Sequence, residues 1–210
     1  MIAGVDEVGR GSLAGPVVAC AIIMPPDARA LRGVDDSKAL PGAERRRLAR
    51  LILDRALAVA LGAASVGEID RLNIYHATTL AMRRALRRLT LPPDHILIDG
   101  RPIRALESRH IAVVDGDDKC FSIACASIVA KVTRDRLMAS LAARHPAYAW
   151  ERNAGYGTPA HIAALRECGS SLHHRRRFVT NALAEECQTS LALEEETTAD
   201  APEAQLEQLM

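Results

Sequence analysis

Five short apolar runs predict the β-strands of this chain. Each run is rich in Val, Ile, Leu or Ala, and most are bounded by Gly, Pro or Asp, the pattern that is typical of buried strands. The runs are residues 2–5, 17–24, 59–66, 95–98 and 111–114. The third run is the weakest prediction because alanine has a low strand preference.

Apolar residues recur at helical spacing in other segments. In residues 73–89, for example, Ile74, Ala77, Ala81 and Ala85 form one stripe. The predicted helices are residues 43–58, 73–89, 123–143, 158–168 and 175–184. Three early strands, followed by strands that alternate with helices, favour an α/β fold with a mixed sheet covered by helices.

Composition limits the class of protein. The chain has 210 residues, of which 49% are hydrophobic and 25% charged, so it is expected to form one globular domain rather than a coiled coil or a disordered chain. Its longest apolar run is too short to span a bilayer, and its first residues contain no basic leader. The five cysteines are scattered without a C-x-x-C pair. We therefore expect a cytoplasmic protein without a membrane anchor, a disulfide framework or a zinc site.

Charge is distributed unevenly along the chain. The formal net charge is +1, but residues 185–210 contain eight acids and no Lys or Arg, so residues 1–184 carry a net +9. A basic body indicates an anionic partner such as nucleic acid, although a merely soluble surface is an open alternative. We expect residues 1–187 to form the domain and residues 188–210 to be an acidic, disordered tail, because the tail has few large apolar side chains.

Four acids lie at or near the ends of predicted strands. They are Asp6, Glu7, Asp99 and Asp117. Sites in open sheets gather beyond strand ends, and carboxylate oxygens there suit Mg²⁺ or Mn²⁺. The alternative for each acid is a helix cap or a turn residue.

Seven blocks of sequence occur in order along the chain. They are residues 4–11 (GVDEVGRG), 36–38 (DSK), 72–78 (LNIYHAT), 97–100 (LIDG), 123–135 (IACASIVAKVTRD), 155–158 (GYGT) and 173–178 (HHRRRF). Together they resemble the ribonuclease HII (ribonuclease H type 2) family over residues 2–183. The resemblance implies an α/β, ribonuclease H-like fold with a five-stranded mixed sheet flanked by helices and a small C-terminal helical part from about residue 145.

The resemblance also implies a catalytic, metal-binding set for Mn²⁺ or Mg²⁺. By motif these residues are Asp6, Glu7, Asp99 and Asp117. The fourth position departs from the family, which usually reads K-G-D where residues 115–118 read DGDD. Asp115 and Asp118 are therefore rivals of Asp117. The family's serine in the last block is replaced by Arg177, which leaves the role of that block open.

Substrate contacts follow from the same resemblance. The loop Gly9-Arg10-Gly11 is expected to read a ribonucleotide 2′-OH, the group that distinguishes RNA from DNA, and Tyr156 to stack on the next sugar. The open alternatives are a tight glycine turn and a loop aromatic packed on the core. Candidate phosphate contacts are Lys38, Ser127, Lys131 and Arg134. The last three share one helical face, which is a solvated face in the alternative.

Histidines complete the candidate chemistry. No pair has zinc-ligand spacing with a third ligand, so we expect them at the surface or facing nucleic acid. They are His76, His161, His173 and His174.

The function implied is a metal-dependent endoribonuclease, expected to be monomeric. It would cut the RNA strand of RNA–DNA hybrids, and would cut 5′ to single ribonucleotides embedded in duplex DNA, leaving 3′-hydroxyl and 5′-phosphate ends. The alternatives are a ribonuclease H type 3-like enzyme and a catalytically silent hybrid-binding module. A small-molecule phosphohydrolase is a weaker one, since it would not need a basic body.

Overall fold

A five-stranded mixed sheet forms the centre of the protein. The structure is a computed structural model, and it describes residues 1–26, 31, 33–34 and 41–184. The strands are β1 (Ile2–Val8), β2 (Val17–Ile23), β3 (Ala58–Ala64), β4 (His95–Asp99) and β5 (Ile111–Val113). Their order is β3-β2-β1-β4-β5. The pairs β1–β2 and β2–β3 are antiparallel, whereas β1–β4 and β4–β5 are parallel. The α/β fold class expected from the sequence is confirmed.

Strand β1 continues three residues beyond the predicted apolar run. Asp6 pairs with Cys20 and Glu7 pairs with Ala19 on β2, so both acids lie within the strand rather than after it. The pairing with β2 supplies the backbone hydrogen bonds that keep the strand extended through two carboxylates.

Helices cover both faces of this sheet. They are α1 (Gly42–Arg55), α2 (Val66–Arg87), α3 (Gly116–Lys119), α4 (Phe121–Ala142), α5 (Trp150–Asn153) and α6 (Pro159–Cys168), and residues 176–184 are also helical. In the described ranges no helix is long and apolar enough to cross a membrane.

Alternate side chains of β2 divide the core into two layers. Cys20 and Ile22 face a layer that also contains residues of α1 and α4. Ala19 and Ala21 face the opposite layer, which contains the apolar stripe of α2. Every residue of β2 is buried, because the strand has neighbours on both edges and helices on both faces.

Helix α4 lies against β1 at a glycine. A Cβ atom built on Gly4 would lie 2.3 Å from the Ser122 carbonyl carbon, so no larger residue fits without moving the helix. This close contact holds α4, with Ser127 and Lys131, beside the strand that carries Asp6.

Helix α2 differs from its predicted bounds. The prediction starts at Asn73, but the helix starts at Val66, where Ser65 and Glu68 form a capping box. Asn73 has φ 68° and ψ 168°, which breaks the helix into two segments. The predicted start is therefore a kink inside a longer helix.

A third core cluster lies in the C-terminal helical part. Trp150, Tyr148 and Leu165 pack there against Leu13 and Ala14 from the β1–β2 connection. The same connection is held by backbone pairing between Ala14 and His174. The C-terminal part therefore packs directly on the loop that follows β1, the strand that carries Asp6 and Glu7.

Candidate active site

One cleft of about 360 Å³ brings the four predicted acids together. Its walls come from β1, β4, α3, α4 and the loop after α5. The lining residues are Asp6, Glu7, Val8, Arg45, Asp99, Asp117, Ser127, Ile128, Lys131 and Tyr156. Two further predicted contacts, Ser127 and Lys131, and the aromatic Tyr156 thus share the cleft with the acids.

The register of β1 and β4 places Asp6 and Asp99 side by side. β1 and β4 are parallel, and Val5 pairs with Ile98. The next position on each strand therefore sets Asp6 beside Asp99 on the same face of the sheet. Glu7 is the next residue of β1, so its side chain leaves the backbone on the opposite face of the sheet. It lines both this cleft and an adjoining one that also contains Asp99 and Arg10.

Burial makes ionisation of Asp6 unfavourable in the metal-free protein. Desolvation raises the pKa of Asp6 to about 8, and the charges of Glu7 and Asp99 add to the rise, against an opposing hydrogen bond from Ser127. Burial also raises the pKa of Glu7, although Arg10, whose Nη1 lies 3.2 Å from Glu7 Oε1, opposes that rise. The cluster therefore repels added negative charge and favours a cation.

The fourth acid is separated from its rivals by exposure. Asp117 is 7% exposed and lines the cleft. The side chain of Asp115 is 70% exposed and lies 3.9 Å from Lys119, and Asp118 is also exposed. Gly116 N–H donates to Asp99 Oδ1 at 2.7 Å, so the turn that presents Asp117 is tied to the third acid.

The donor chemistry of the cleft fits hard divalent cations. All four acids offer oxygen ligands, which Mg²⁺ and Mn²⁺ prefer. Within residues 1–26, 31, 33–34 and 41–184, however, no three acid, imidazole or thiol groups already stand in an arrangement that could hold a metal ion. The carboxylates line an open cleft rather than a closed cage.

Tyr156 forms the far wall of the cleft. The residue is 37% exposed, with Lys131 Nζ 5.8 Å and Arg134 Cζ 5.7 Å from the ring centre. Lys131 also pairs with Asp135 at 2.8 Å. A partly exposed aromatic ring near two cations is suited to contact a sugar or a base next to a phosphate.

Comparison with known proteins identifies the family of this chain. A family model described as "Ribonuclease HII" matches residues 3–181. The chain belongs to the ribonuclease HII family. Ribonuclease HII of Granulibacter bethesdensis is 56% identical over 182 residues, which cover 85% of this chain and 83% of that protein. The ribonuclease H endonuclease class expected from the sequence is therefore confirmed.

Solved structures agree with the fold. Ribonuclease H2 of Pyrococcus horikoshii is 28% identical, with a TM-score of 0.73 over 86% of this chain and 96% of that chain. Ribonuclease HII of Archaeoglobus fulgidus, solved in complex with PCNA, is 27% identical, with a TM-score of 0.74 over 86% of this chain and 94% of that chain. The ribonuclease H-like architecture expected from the resemblance is confirmed.

The glycine loop of this ribonuclease HII family member is shaped by two buried arginines. Gly9 has φ +88°, and a Cβ atom there would lie 2.1 Å from Arg134 Nε. The carbonyl oxygens of Gly9 and Arg10 accept hydrogen bonds from Arg175 at 2.6 and 2.7 Å. A Cβ atom on Gly11, in contrast, would meet nothing within 4 Å, so this end of the loop faces open space.

Arg134 lies in a different environment from the solvent-facing position that a phosphate contact needs. Its side chain is fully buried and donates to the carbonyl oxygens of Ala14, Pro16 and Ala154 at 2.8–3.0 Å. The helical face is continuous, but the loop after β1 and the loop after α5 cover its C-terminal end. Arg134 therefore connects these two loops, and its burial does not favour the predicted phosphate contact.

The remaining phosphate candidates differ in position. Lys131 and Ser127 lie in the cleft, and Ser127 is hydrogen-bonded to Asp6. Lys38 lies outside the described residues.

Two histidines are also placed differently from the prediction. His76 is exposed and His173 is partly exposed, but His161 and His174 are buried, at 0% and 3% exposure. They pack among Tyr148 and Trp150 in the third core cluster. Sequence reasoning also missed Arg175, whose only signal was its place in the HHRRRF block.

Proposed function

We propose that this ribonuclease HII family member hydrolyses the RNA strand of RNA–DNA hybrids and also cuts duplex DNA on the 5′ side of a single embedded ribonucleotide, leaving 3′-hydroxyl and 5′-phosphate ends. The observation that carries the proposal is the convergence of Asp6, Glu7, Asp99 and Asp117 in one cleft that also contains Lys131 and an exposed Tyr156. Family membership supports the ribonuclease H part of it.

The acids are proposed to hold Mn²⁺ or Mg²⁺. Bound in a pair, such ions activate a water molecule and stabilise the leaving oxygen of a phosphodiester. Asp6 must lose its proton when it becomes a ligand, because its pKa of about 8 keeps it mostly protonated at neutral pH. Since the carboxylates line an open cleft, we expect their side chains to rotate inward on binding.

Other residues of the cleft are proposed to hold the nucleic acid. The Lys131 ammonium group is placed to contact a phosphate beside the acids. The open face of Gly11 lets a sugar approach the backbone of residues 9–11, where a 2′-OH can be hydrogen-bonded. Tyr156 is proposed to stack on the following sugar and so align the scissile phosphate.

A catalytically silent hybrid-binding module is the competing proposal. Such a module needs the basic body, but it does not need a buried carboxylate such as Asp6, because burial opposes the ionisation of that group. The cost of burying Asp6 is best explained by a bound cation. We therefore favour the enzyme.

The decisive experiment uses an end-labelled DNA duplex with one ribonucleotide. We expect a single cut 5′ to the ribonucleotide with Mg²⁺ or Mn²⁺ and none in EDTA, and cleavage at many positions on a continuous RNA–DNA hybrid. An all-DNA duplex is the control. Binding of both substrates without cleavage in either metal would instead identify the silent module.

A further inference from the structure

Two buried histidines form a hydrogen-bonded chain that ends at the backbone of Tyr156. Ser171 N–H donates to His174 Nδ1 at 2.9 Å, and the Nε2 atoms of His174 and His161 are 3.0 Å apart. The Trp150 indole N–H donates to His161 Nε2 at 3.1 Å. His161 Nδ1 lies 2.8 Å from the Tyr156 carbonyl oxygen. The chain thus runs from the start of the HHRRRF block to the wall of the cleft.

The donors fix the proton positions in this chain. A backbone N–H and an indole N–H can only donate, so His174 Nδ1 and His161 Nε2 must accept. In neutral rings the protons then lie on His174 Nε2 and His161 Nδ1, which makes every hydrogen bond point toward Tyr156. Burial lowers the pKa of both rings, that of His174 to about 4, so neutral rings are expected at neutral pH.

The backbone of Tyr156, whose carbonyl oxygen accepts the last of these hydrogen bonds, is held by two further ones. Thr158 N–H donates to the Tyr156 oxygen at 2.9 Å, and Tyr156 N–H donates to the Asn153 carbonyl at the same distance. The Thr158 side chain in turn accepts from His161 N–H and begins α6. The backbone of Tyr156 is therefore fixed while its ring stays partly exposed in the cleft.

We propose that His161 and His174 are positioning residues for substrate selection, because they hold the Tyr156 ring at the distance from the acids that a single ribonucleotide junction requires. The proposal rests on the stacking role of Tyr156 in the proposed function. A continuous RNA strand presents a ribose in every register, so its cleavage depends less on one fixed ring position. Loss of the chain should therefore affect the single-ribonucleotide substrate more.

Variants of His161 separate this role from a general structural one. An Asn amide at this position can reach the carbonyl from the place of Nδ1, whereas a Gln amide takes the place of Nε2 and cannot. We expect His161→Gln to lower kcat/KM on the single-ribonucleotide duplex about tenfold relative to the continuous hybrid, and His161→Asn to restore most of the ratio. His173→Ala is the matched control, and we expect it to keep the wild-type ratio of the two rates. The His173 side chain lies in the same aromatic cluster but makes no hydrogen bond to His161 or His174.

The ratio of the two substrates is the essential readout, because a smaller folded fraction lowers both rates equally. A double-mutant cycle with Tyr156→Ala completes the test: His161→Gln should add little in that background. Equal losses on both substrates, or effects that multiply with those of Tyr156→Ala, would overturn the proposal. Wild-type enzyme that leaves the single-ribonucleotide duplex intact would overturn the proposed function itself, and it is assayed first.

Discussion

Arg175 Nη2 donates a hydrogen bond to the Gly9 carbonyl oxygen at 2.6 Å, although 166 residues separate them in sequence. The same guanidinium group also donates to the carbonyls of Arg10 and Gly15. Burial and the nearby Arg134 lower the pKa of Arg175 to about 9, so it remains charged at neutral pH. The backbone shape of the glycine loop therefore depends on a cation from the far end of the chain.

Replacement of this cation should destabilise the protein. In Arg175→Met three carbonyl groups lose their donor, at about 1–3 kcal/mol for each one that stays buried. We expect the free energy of unfolding to fall by about 3 kcal/mol or more, measured by urea denaturation. The exposed neighbour Arg176 offers the control, since Arg176→Met should change it by less than about 0.5 kcal/mol. Similar losses in both variants would contradict the role given to Arg175.

Asp99→Asn should nearly abolish cleavage while hybrid binding stays close to that of the wild type. The amide oxygen can still accept from Gly116 N–H, so the turn before α3 should survive, but a charged ligand is lost. Charge-driven binding comes from the basic body and is retained. Single-turnover cleavage and a binding titration on the same hybrid measure the two effects. A variant that keeps most of its turnover would remove Asp99 from the catalytic set.

The three acids around Gly116 should differ sharply in importance. Asp117→Asn is expected to reduce kcat far more than Asp115→Asn or Asp118→Asn, because only Asp117 of the three lines the cleft. Steady-state rates at saturating Mn²⁺ compare them. A larger loss of kcat in Asp115→Asn than in Asp117→Asn would assign the role of fourth metal ligand to the exposed Asp115.

Asp6→Asn should stabilise the metal-free protein at alkaline pH. The pKa of Asp6 rises from 3.8 to about 8 on folding, so between these values the unfolded state is ionised and the folded state is protonated. Wild-type stability must therefore fall as pH rises through this window. Asn removes the penalty, and at pH 9 in EDTA we expect a gain of about 2 kcal/mol or more. At pH 4 the two proteins should unfold at similar temperatures. A difference that is independent of pH would show that Asp6 ionises freely.

Deletion of residues 188–210 should tighten hybrid binding at low salt. The segment lies outside the described residues, so the argument is one of charge alone: it contains six acids and no basic residue. The effect should vanish at high salt because screening removes it. Affinities measured at about 50 mM and 500 mM salt test this. Equal affinities of the full chain and the deletion variant at low salt would contradict it.

Local signals allowed much of the fold to be predicted from the sequence. The apolar runs located all five strands, and the Thr158 cap and Gly169 marked the bounds of α6. The start of α2 was missed although Ser65 and Glu68 carry a capping-box pattern, because Asn73 opens the stronger apolar stripe. The kink at Asn73 depends on a left-handed backbone conformation that residue type alone does not specify.

The candidate site was predicted less evenly. Asp6, Glu7 and Asp99 could be identified because each follows an apolar run and lies in a family block, although β1 extends through the first two. The burial of Arg134 could not be predicted, because it results from a loop 118 residues away in sequence that folds over it. His161 is buried by nearer residues, among them Trp150 and His174, and its spacing along α6 does not reveal their packing. Helical spacing reports which residues share a face, but it does not report whether that face is covered.

The dependence of the glycine loop on Arg175 has a consequence for synthesis on the ribosome. The strand with Asp6 and Glu7 is made before the C-terminal part, but the carbonyl groups of Gly9 and Arg10 gain their hydrogen-bond donor only after Arg175 has left the exit tunnel. A nascent chain that stops before this point has all four acids and no fixed loop beside them. Completion of the glycine loop is therefore among the last steps of folding, and a prematurely terminated chain should be released without it.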